Sequence, residues 1–588
     1  MNLGVDFGST YSSFSFYDEI EKKIELCKPG EKDPEAIPSV ACIDDDGNLL
    51  TGYSAKAHIQ LEDPEALSFS AFKMLLNEQD QRILSSRNYS AEYTPKRVAG
   101  AFLQQQIHRI LSNHAASEIE NLVICAPEVW TTQNAVRHGQ MDGRTILRDI
   151  CDSIPEVRNV NVVSEPAAAS AYFAYRYRET APQSYRLLII DYGGGTLDLT
   201  LTEVHSQGAS VEIKVLYRTG FGENENGKIG NAGIAYMERV MQLAIAEATG
   251  GDADAIPKNA SFRKAVSSLE NKLMDQVSLD AGGENGKDSS SDNQKRLWYA
   301  VEECGAELTD LLDNTEQFAK IRYGRKPVIV TFAHLMQAYN EIIAPTLEKC
   351  MKEVTAWTKK HNKPDFYVVL AGGFGKFILV QKQVEWYFER SRTGDRRFQY
   401  SLGKDREYAV SMGAALLASG IMTIKRTAPY GIGIYTETDK RFHYAINFRQ
   451  ELIPKHEYWI CGQSGASGSA GTPTSFVNGA SAITHLSIGT DEDAHAGTIL
   501  PLTPTMQDKI IKAYKDMTDE YQRQFPNKYS KPLHHIGFTM DESEIVSMLV
   551  QYYEPTTRSV GHTIPIELSD YNKMFGLTEA KFVTESGT

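Results

Sequence analysis

Residues 187–204, LLIIDYGGGTLDLTLTEV, constrain the fold more than any other stretch of this chain. An apolar run at 187–190 enters Asp191, the turn residues Gly193, Gly194, Gly195 and Thr196 follow, and Leu197, Leu199 and Leu201 then alternate with Asp198, Thr200 and Thr202. That pattern predicts a strand, a tight glycine turn and a second strand. Three glycines let the backbone turn its N–H groups toward one point, with no Cβ to keep an anion away. Asp191 and Asp198 flank that point with negative charge, so an anion there needs an accompanying cation. Mg²⁺ carrying a polyphosphate fits, because magnesium keeps its waters and takes few carboxylates plus phosphate oxygens.

The same grammar occurs at the N-terminus. Leu3, Gly4 and Val5 lead into Asp6, Gly8, Ser9 and Thr10 follow, and residues 13–16 continue as a second extended run. Two such hairpins predict two similar lobes that grip one triphosphate from opposite sides of a cleft.

A chain of 588 residues is too long for one core and implies three to five folding units. Its net charge of −15 argues against nucleic acid or an anionic membrane as the main partner. No apolar run has the length to span a bilayer, and the first residues carry neither a basic nor an apolar leader region, which predicts a cytoplasmic protein. The seven cysteines are scattered and form no C-x-x-C pair, so they read as reduced thiols.

Along the chain, residues 45–48 mark a hairpin, and Lys73 is a lone base in the apolar segment SFSAFKMLL. Helical spacing over 97–115 precedes a buried strand at 122–127. Residues 161–171 read as a strand, an acidic turn at Glu165 and a helix of small residues, with proline in its first turn. Residues 220–233 form a loop, 282–295 a polar break between helices, and 296–312 a return to helix. A strand at 328–331 and a helix near 332–355 come next. The strand 367–371 then runs into Gly372, Gly373, Phe374, Gly375 and Lys376 and a further helix, a turn suited to a phosphate or nucleotide. Residues 409–418 predict a helix built for close packing. Past about residue 427, short alternating runs, a Ser/Gly tract at 464–481 and few helical signals predict a separate β domain.

With both hairpins, the Ser-Glu-Pro-Ala-Ala-Ala turn and the Gly-Gly turn in order, the chain resembles the actin-like ATPase superfamily, and within it the heat-shock protein 70 chaperones. The resemblance implies an α/β fold. A two-lobed, duplicated ribonuclease H-like ATPase domain would cover 1–425, with lobes at about 1–185 and 186–370 and closing helices at 371–425. A smaller β-sandwich-like domain without a helical lid would cover 426–588. It also implies ATP or ADP with Mg²⁺ as cofactors and phosphoryl transfer to water as the reaction. Asp6, Gly8, Ser9 and Thr10 match the family's first phosphate motif, and Asp191, Gly193, Gly194, Gly195, Thr196 and Asp198 its second. Lys73 matches the lysine at the γ-phosphate, Glu165 the connecting motif, and Gly372 and Gly373 the adenosine motif. Asp6 and Asp191 would reach magnesium through water, while Asp198 and Glu165 would orient the attacking water or the metal shell. Polypeptide clients and co-chaperones are the partners implied.

Three features depart from the family pattern. Its adenosine clamp of a glutamate, a lysine and an arginine is reduced at 302–307 to Glu302, so Phe374 or Lys376 would replace the stacking. The linker at 421–427 is apolar then basic where the family's is aliphatic and acidic. The β domain matches only loosely, through YGIGI, LIPK and FTMDESEIVSMLV. These departures leave two other readings open, a nucleotide-binding scaffold with little turnover and a small-molecule kinase on the same fold.

Overall fold

The computed structural model describes residues 1–30, 34–59, 66–130, 142–207, 210–222, 232–274, 292–304, 308–363, 365–390, 405–437, 440–453, 456–461, 473, 476, 483–489, 495–528 and 532–584. Most of the expected loop at 220–233, of the polar break at 282–295 and of the Ser/Gly tract at 464–481 lies outside the described residues, as do Pro454 and Lys455. The chain separates into two units, Met1–Val129 with Ile150–Ile424, and Trp130–Asp149 with Lys425–Thr588.

In the first unit each glycine hairpin begins a sheet of the same strand order. Strand Asn2–Asp6 pairs antiparallel with Tyr11–Asp18 and parallel with Ile119–Ala126, and Lys23–Leu26 lies beyond Tyr11–Asp18. Strand Ser184–Tyr192 pairs antiparallel with Leu197–Gln207 and parallel with Tyr367–Ala371, and Ser210–Phe221 lies beyond Leu197–Gln207. Counted from its own hairpin, each sheet therefore runs third, second, first, fourth. Val157–Ser164 extends the first sheet and Thr423–Lys425 the second. Two lobes of mixed α/β structure follow from that duplication.

Between the sheets, helix Glu165–Arg176 packs on the second and helix Asp405–Ala418 on the first, and the two helices pack on each other. Small residues permit this. Ala168, Ala169, Ala171, Ala409 and Ala414 are wholly buried there, and a Cβ on Gly413 would sit 1.8 Å from Ala168 O. Ser411 Oγ ties its helix to the first sheet through Ser13 and Ser15, both at 2.9 Å. Outside the sheets, helix Pro95–Asn113 starts on Thr94, whose hydroxyl accepts from Arg97 N–H, and buries Val98, Phe102, Ile107 and Ile110. On the second lobe, helices Gly233–Thr249, Ala260–Met274 and Asp292–Cys304 pack with the hairpin Gln317–Tyr323 and Lys326–Thr331 around one apolar core.

The second unit has two antiparallel sheets. One runs Arg441–Ile446, Gly431–Thr436, His485–Gly489, Ala496–Pro501, Lys581–Thr584; the other runs Tyr458–Trp459, Leu533–Met540, Val546–Glu554, Ser559–Val560, with Ile564–Glu567 also paired to Val546–Glu554. A β-sandwich-like unit is the outcome, with one large correction. Helix Pro504–Gln524, 21 residues long, sits in a region that sequence patterning assigns to strands. Its buried side chains, Met506, Ile510, Ala513, Tyr514, Met517 and Tyr521, fall on one helical face and join the core of both sheets. Charged residues over the rest of its surface dilute that stripe, which is why the linear pattern hides it. Trp130–Asp149, which the sequence places in the first lobe, is tied to this unit by Arg144–Glu544 at 2.5 Å and Arg148–Asp541 at 2.6 Å. No helix among the described residues is long and apolar enough to cross a membrane.

Candidate functional site

The two glycine turns meet. A Cβ on Gly194 would lie 2.5 Å from Thr10 Oγ1, and one on Gly195 would lie 2.7 Å from Ser9 Oγ and 2.6 Å from Met74 Sδ. Any larger residue would push the turns apart. Together they open onto a cavity of about 610 Å³ lined by Asp6, Gly8, Ser9, Thr10, Lys73, Glu165, Asp191, Gly193, Gly194, Gly195 and Thr196, and at its far side by Gly372, Gly373, Phe374 and Lys376. Among the described residues, the amides of Ser9, Gly194 and Gly195 donate to no protein acceptor, so they are available to an anion.

Strand register explains how residues so far apart in sequence converge. Asp6 faces Ser13 across the first hairpin, Asp191 faces Asp198 across the second, and Ala371 lies beside Asp191. Each strand thus ends at the same rim of its sheet, and the turn that follows projects into the cleft. Gly372 has φ +78°, and a Cβ there would sit 2.3 Å from Asp191 Oδ1, so glycine alone lets the third turn close on the second. Behind the second turn, Ile234 N–H donates to Gly194 O at 2.7 Å and anchors it to helix Gly233–Thr249.

Lys73 is 3 % exposed and ion-paired with Glu165, the first residue of its helix. Burial pulls the ammonium down, but Glu165 and Asp6 more than offset it and hold Lys73 above the ordinary lysine value. The carboxylates are driven the other way. Burial, then Glu165, push Asp6 up to about 7 against the pull of Lys73. Burial and Glu165 likewise hold Asp191 and Asp198 well above the usual carboxylate range. Asp198 is wholly buried, its Oδ1 accepts from Glu128 N–H at 2.8 Å, and its Oδ2 has no partner among the described residues.

Asp6, Asp191, Asp198 and Glu165 therefore lie around the Lys73 ammonium in a buried space. Such an arrangement is stabilised by a further cation. No three His, Cys, Asp or Glu side chains among the described residues converge as direct ligands. A cation would be held through water and phosphate oxygens, the mode that suits Mg²⁺. The residues present fit that ion.

Glu302 is not brought into the cavity. It lies on helix Asp292–Cys304 and pairs with Lys382 at 2.6 Å, so its carboxylate is already engaged on an outer face. The acidic side chain that lines the cavity from the helical half of this lobe is Glu270, beside Asn271 on helix Ala260–Met274. Burial, opposed by Lys56, pushes Glu270 up to about 7. No local pattern singles out Glu270 or Asn271, because their place depends on how the helix packs. Phe374 is buried in an aromatic cluster with Tyr192, Tyr236 and Phe377, and Lys376 pairs with Glu407, another lining residue.

No protein-family model matches the chain. Among curated proteins it is similar to "Chaperone protein DnaK" of Picrophilus torridus, 24 % identical over 421 residues that cover 70 % of this chain and 57 % of that one. It is 23 % identical to "Chaperone protein DnaK" of Methanothermobacter thermautotrophicus over 449 residues, 74 % of this chain and 63 % of the relative. With "Chaperone protein DnaK" of Halobacterium salinarum it shares 28 % identity over 202 residues, 34 % of this chain and 28 % of the relative. The chain thus spans less than two thirds of the length of these relatives.

Proposed function

We propose that this chain is a member of the heat-shock protein 70 family, whose first unit binds and slowly hydrolyses ATP while its second engages polypeptide in a nucleotide-dependent way, a reading supported by its similarity to several DnaK chaperones. One observation carries the reading: two glycine turns from two like sheets face each other across one cavity that also holds a buried lysine and an excess of carboxylates. Turn amides and Lys73 would hold the β- and γ-phosphates, which is most of what phosphoryl transfer asks of a protein. Glu165 would fix the Lys73 ammonium. Mg²⁺, when bound with the nucleotide, would neutralise charge on the phosphates. Asp6 and Asp191 would accept hydrogen bonds from its water shell. The unpartnered Oδ2 of Asp198 would orient the attacking water, and the hydroxyl of Thr196 stands beside it. Glu270, Asn271, Gly372, Gly373, Phe374 and Lys376 would receive the nucleoside half.

In the second unit, Lys581–Thr584 pairs among the described residues with Ala496–Pro501 at the end of its sheet, and its outer edge would pair with an extended segment, a recognition mode that needs no lid. Co-chaperones and a cytoplasmic location belong to the same reading. Calorimetric titration with ATP, ADP and GTP, with and without Mg²⁺, tests it. Mg²⁺-dependent binding of ATP and ADP followed by slow phosphate release is the expected result. Failure of all three nucleotides to bind would overturn it, and tight binding without phosphate release would favour the scaffold.

A further inference from the structure

Behind the second glycine turn, one residue of the first lobe reaches into the second. Glu128 follows the strand Ile119–Ala126 of the first sheet by two residues, is 3 % exposed, and contacts strands of the second sheet. Its main-chain N–H donates to Asp198 Oδ1 at 2.8 Å. Its carboxylate accepts from Thr200 Oγ1 at 3.3 Å and faces the Arg218 guanidinium at 3.6 Å. Gly220 makes room for this, since a Cβ there would sit 2.6 Å from Asp198 Oδ1 and 2.9 Å from both Glu128 Cβ and Val129 N. Thr200 and Asp198 are both wholly buried, so no solvent competes for these bonds.

The consequence for Asp198 is specific. Thr196 of its own turn hydrogen-bonds the carboxylate, and the backbone donor from the opposite lobe on Oδ1 adds the restraint that stops it rotating, with Oδ2 presented in one direction. The Glu128 side chain holds that donor in place through one hydrogen bond, from Thr200 Oγ1 to Oε1, and the charge of Arg218 facing Oε2 at 3.6 Å. Opening the lobes would withdraw the donor and leave Asp198 held by Thr196 alone.

We propose that Glu128 is a positioning residue that fixes the orientation of Asp198 only when the two lobes are closed, so that hydrolysis waits on closure while nucleotide binding does not. This rests on the reading of the cavity as an ATP site with Asp198 beside the attacking water. Loss of the Glu128 anchor displaces Asp198 by a fraction of an ångström to an ångström, a misplacement that costs about 10- to 100-fold in rate.

The test compares Glu128→Ala and Glu128→Gln with the unaltered full-length chain, using three readouts: nucleotide affinity by calorimetry, single-turnover hydrolysis at saturating Mg-ATP, and amide hydrogen exchange at residue 128. Glu128→Ala keeps its affinity within about threefold, hydrolyses about 10- to 100-fold more slowly, and exchanges the residue 128 amide faster. Glu128→Gln, which retains an acceptor for Thr200, recovers much of the rate. Should Glu128→Ala fail to fold, Glu128→Gln with Thr200→Val supplies the same comparison. A rate within twofold of the unaltered chain, unchanged amide exchange, or equal losses of rate and affinity would each overturn the proposal. An unaltered chain that binds no nucleotide would instead overturn the ATP reading, before any variant is compared.

Discussion

Replacing Lys73 by methionine removes a buried charge while keeping most of the side-chain volume. The ammonium faces Glu165, Asp6, Asp191 and Asp198. Breaking a buried ion pair by deleting one partner costs about 3–5 kcal/mol. At about 2 °C per kcal/mol for a unit of this size, the melting temperature falls by roughly 6–10 °C. The deficit depends on pH in a defined direction. Burial and Glu165 already hold Asp6 up at about 7, and Lys73 is the group that opposes them. Without it Asp6 rises further, so the folded variant binds protons near neutrality that the unfolded chain, titrating near 3.9, does not. Stability of the variant therefore falls as pH rises through neutrality, and its deficit is larger at pH 8 than at pH 6. Mg²⁺ without nucleotide should raise the melting temperature of Lys73→Met more than that of the unaltered chain, because it replaces a missing cation. Thermal melts at two pH values, with and without Mg²⁺, read all three effects, and single-turnover hydrolysis should drop about 100- to 1,000-fold. A variant that melts with the unaltered chain at both pH values and hydrolyses at the same rate would refute the charge balance argued for this cavity.

Two further predictions concern the second unit. His534 is wholly buried against Phe476 and Tyr514, and burial pushes its imidazole down to about 4. The unfolded value is near 6.5, so its contribution to stability is complete above about pH 6.5 and is lost as pH falls toward 4. That is worth on the order of 3 kcal/mol. Denaturant melts between pH 7 and 4 should show this limb, and it should flatten in His534→Phe; an identical limb in both would dismiss the assignment. Met517→Ala on the buried face of helix Pro504–Gln524 should cost about 2–5 kcal/mol, whereas Lys515→Ala on its exposed face should be nearly neutral. Equal effects at the two positions would mean the helix does not dock as described.

How far each feature could be read in the chain depended on how local its cause is. Asp6 and Asp191 each stand two residues before the first glycine of their turns, and the turn itself imposes the geometry, so both are visible from spacing alone. Lys73 and Glu165 lie 92 positions apart, and nothing near either announces their ion pair; only the family resemblance singled them out. Glu302 shows the limit of that carry-over. Its motif is a short acidic run that any exposed helix can carry, and packing turned it toward Lys382 while placing Glu270 at the cavity. The helix Pro504–Gln524 was hidden for another reason: its apolar stripe is regular at helical spacing, but it lies among strands and is rich in charge.

By itself the sequence determined two strand-turn-strand units with an aspartate before each turn, and with them a duplicated α/β fold, because strand alternation and glycine turns act within a few residues of themselves. Tertiary structure alone decided that Thr10 touches Gly194, that Glu128 crosses to Asp198, and that Trp130–Asp149 goes with the second unit. Those contacts join distant segments, and they exist only once whole sheets and helices have packed.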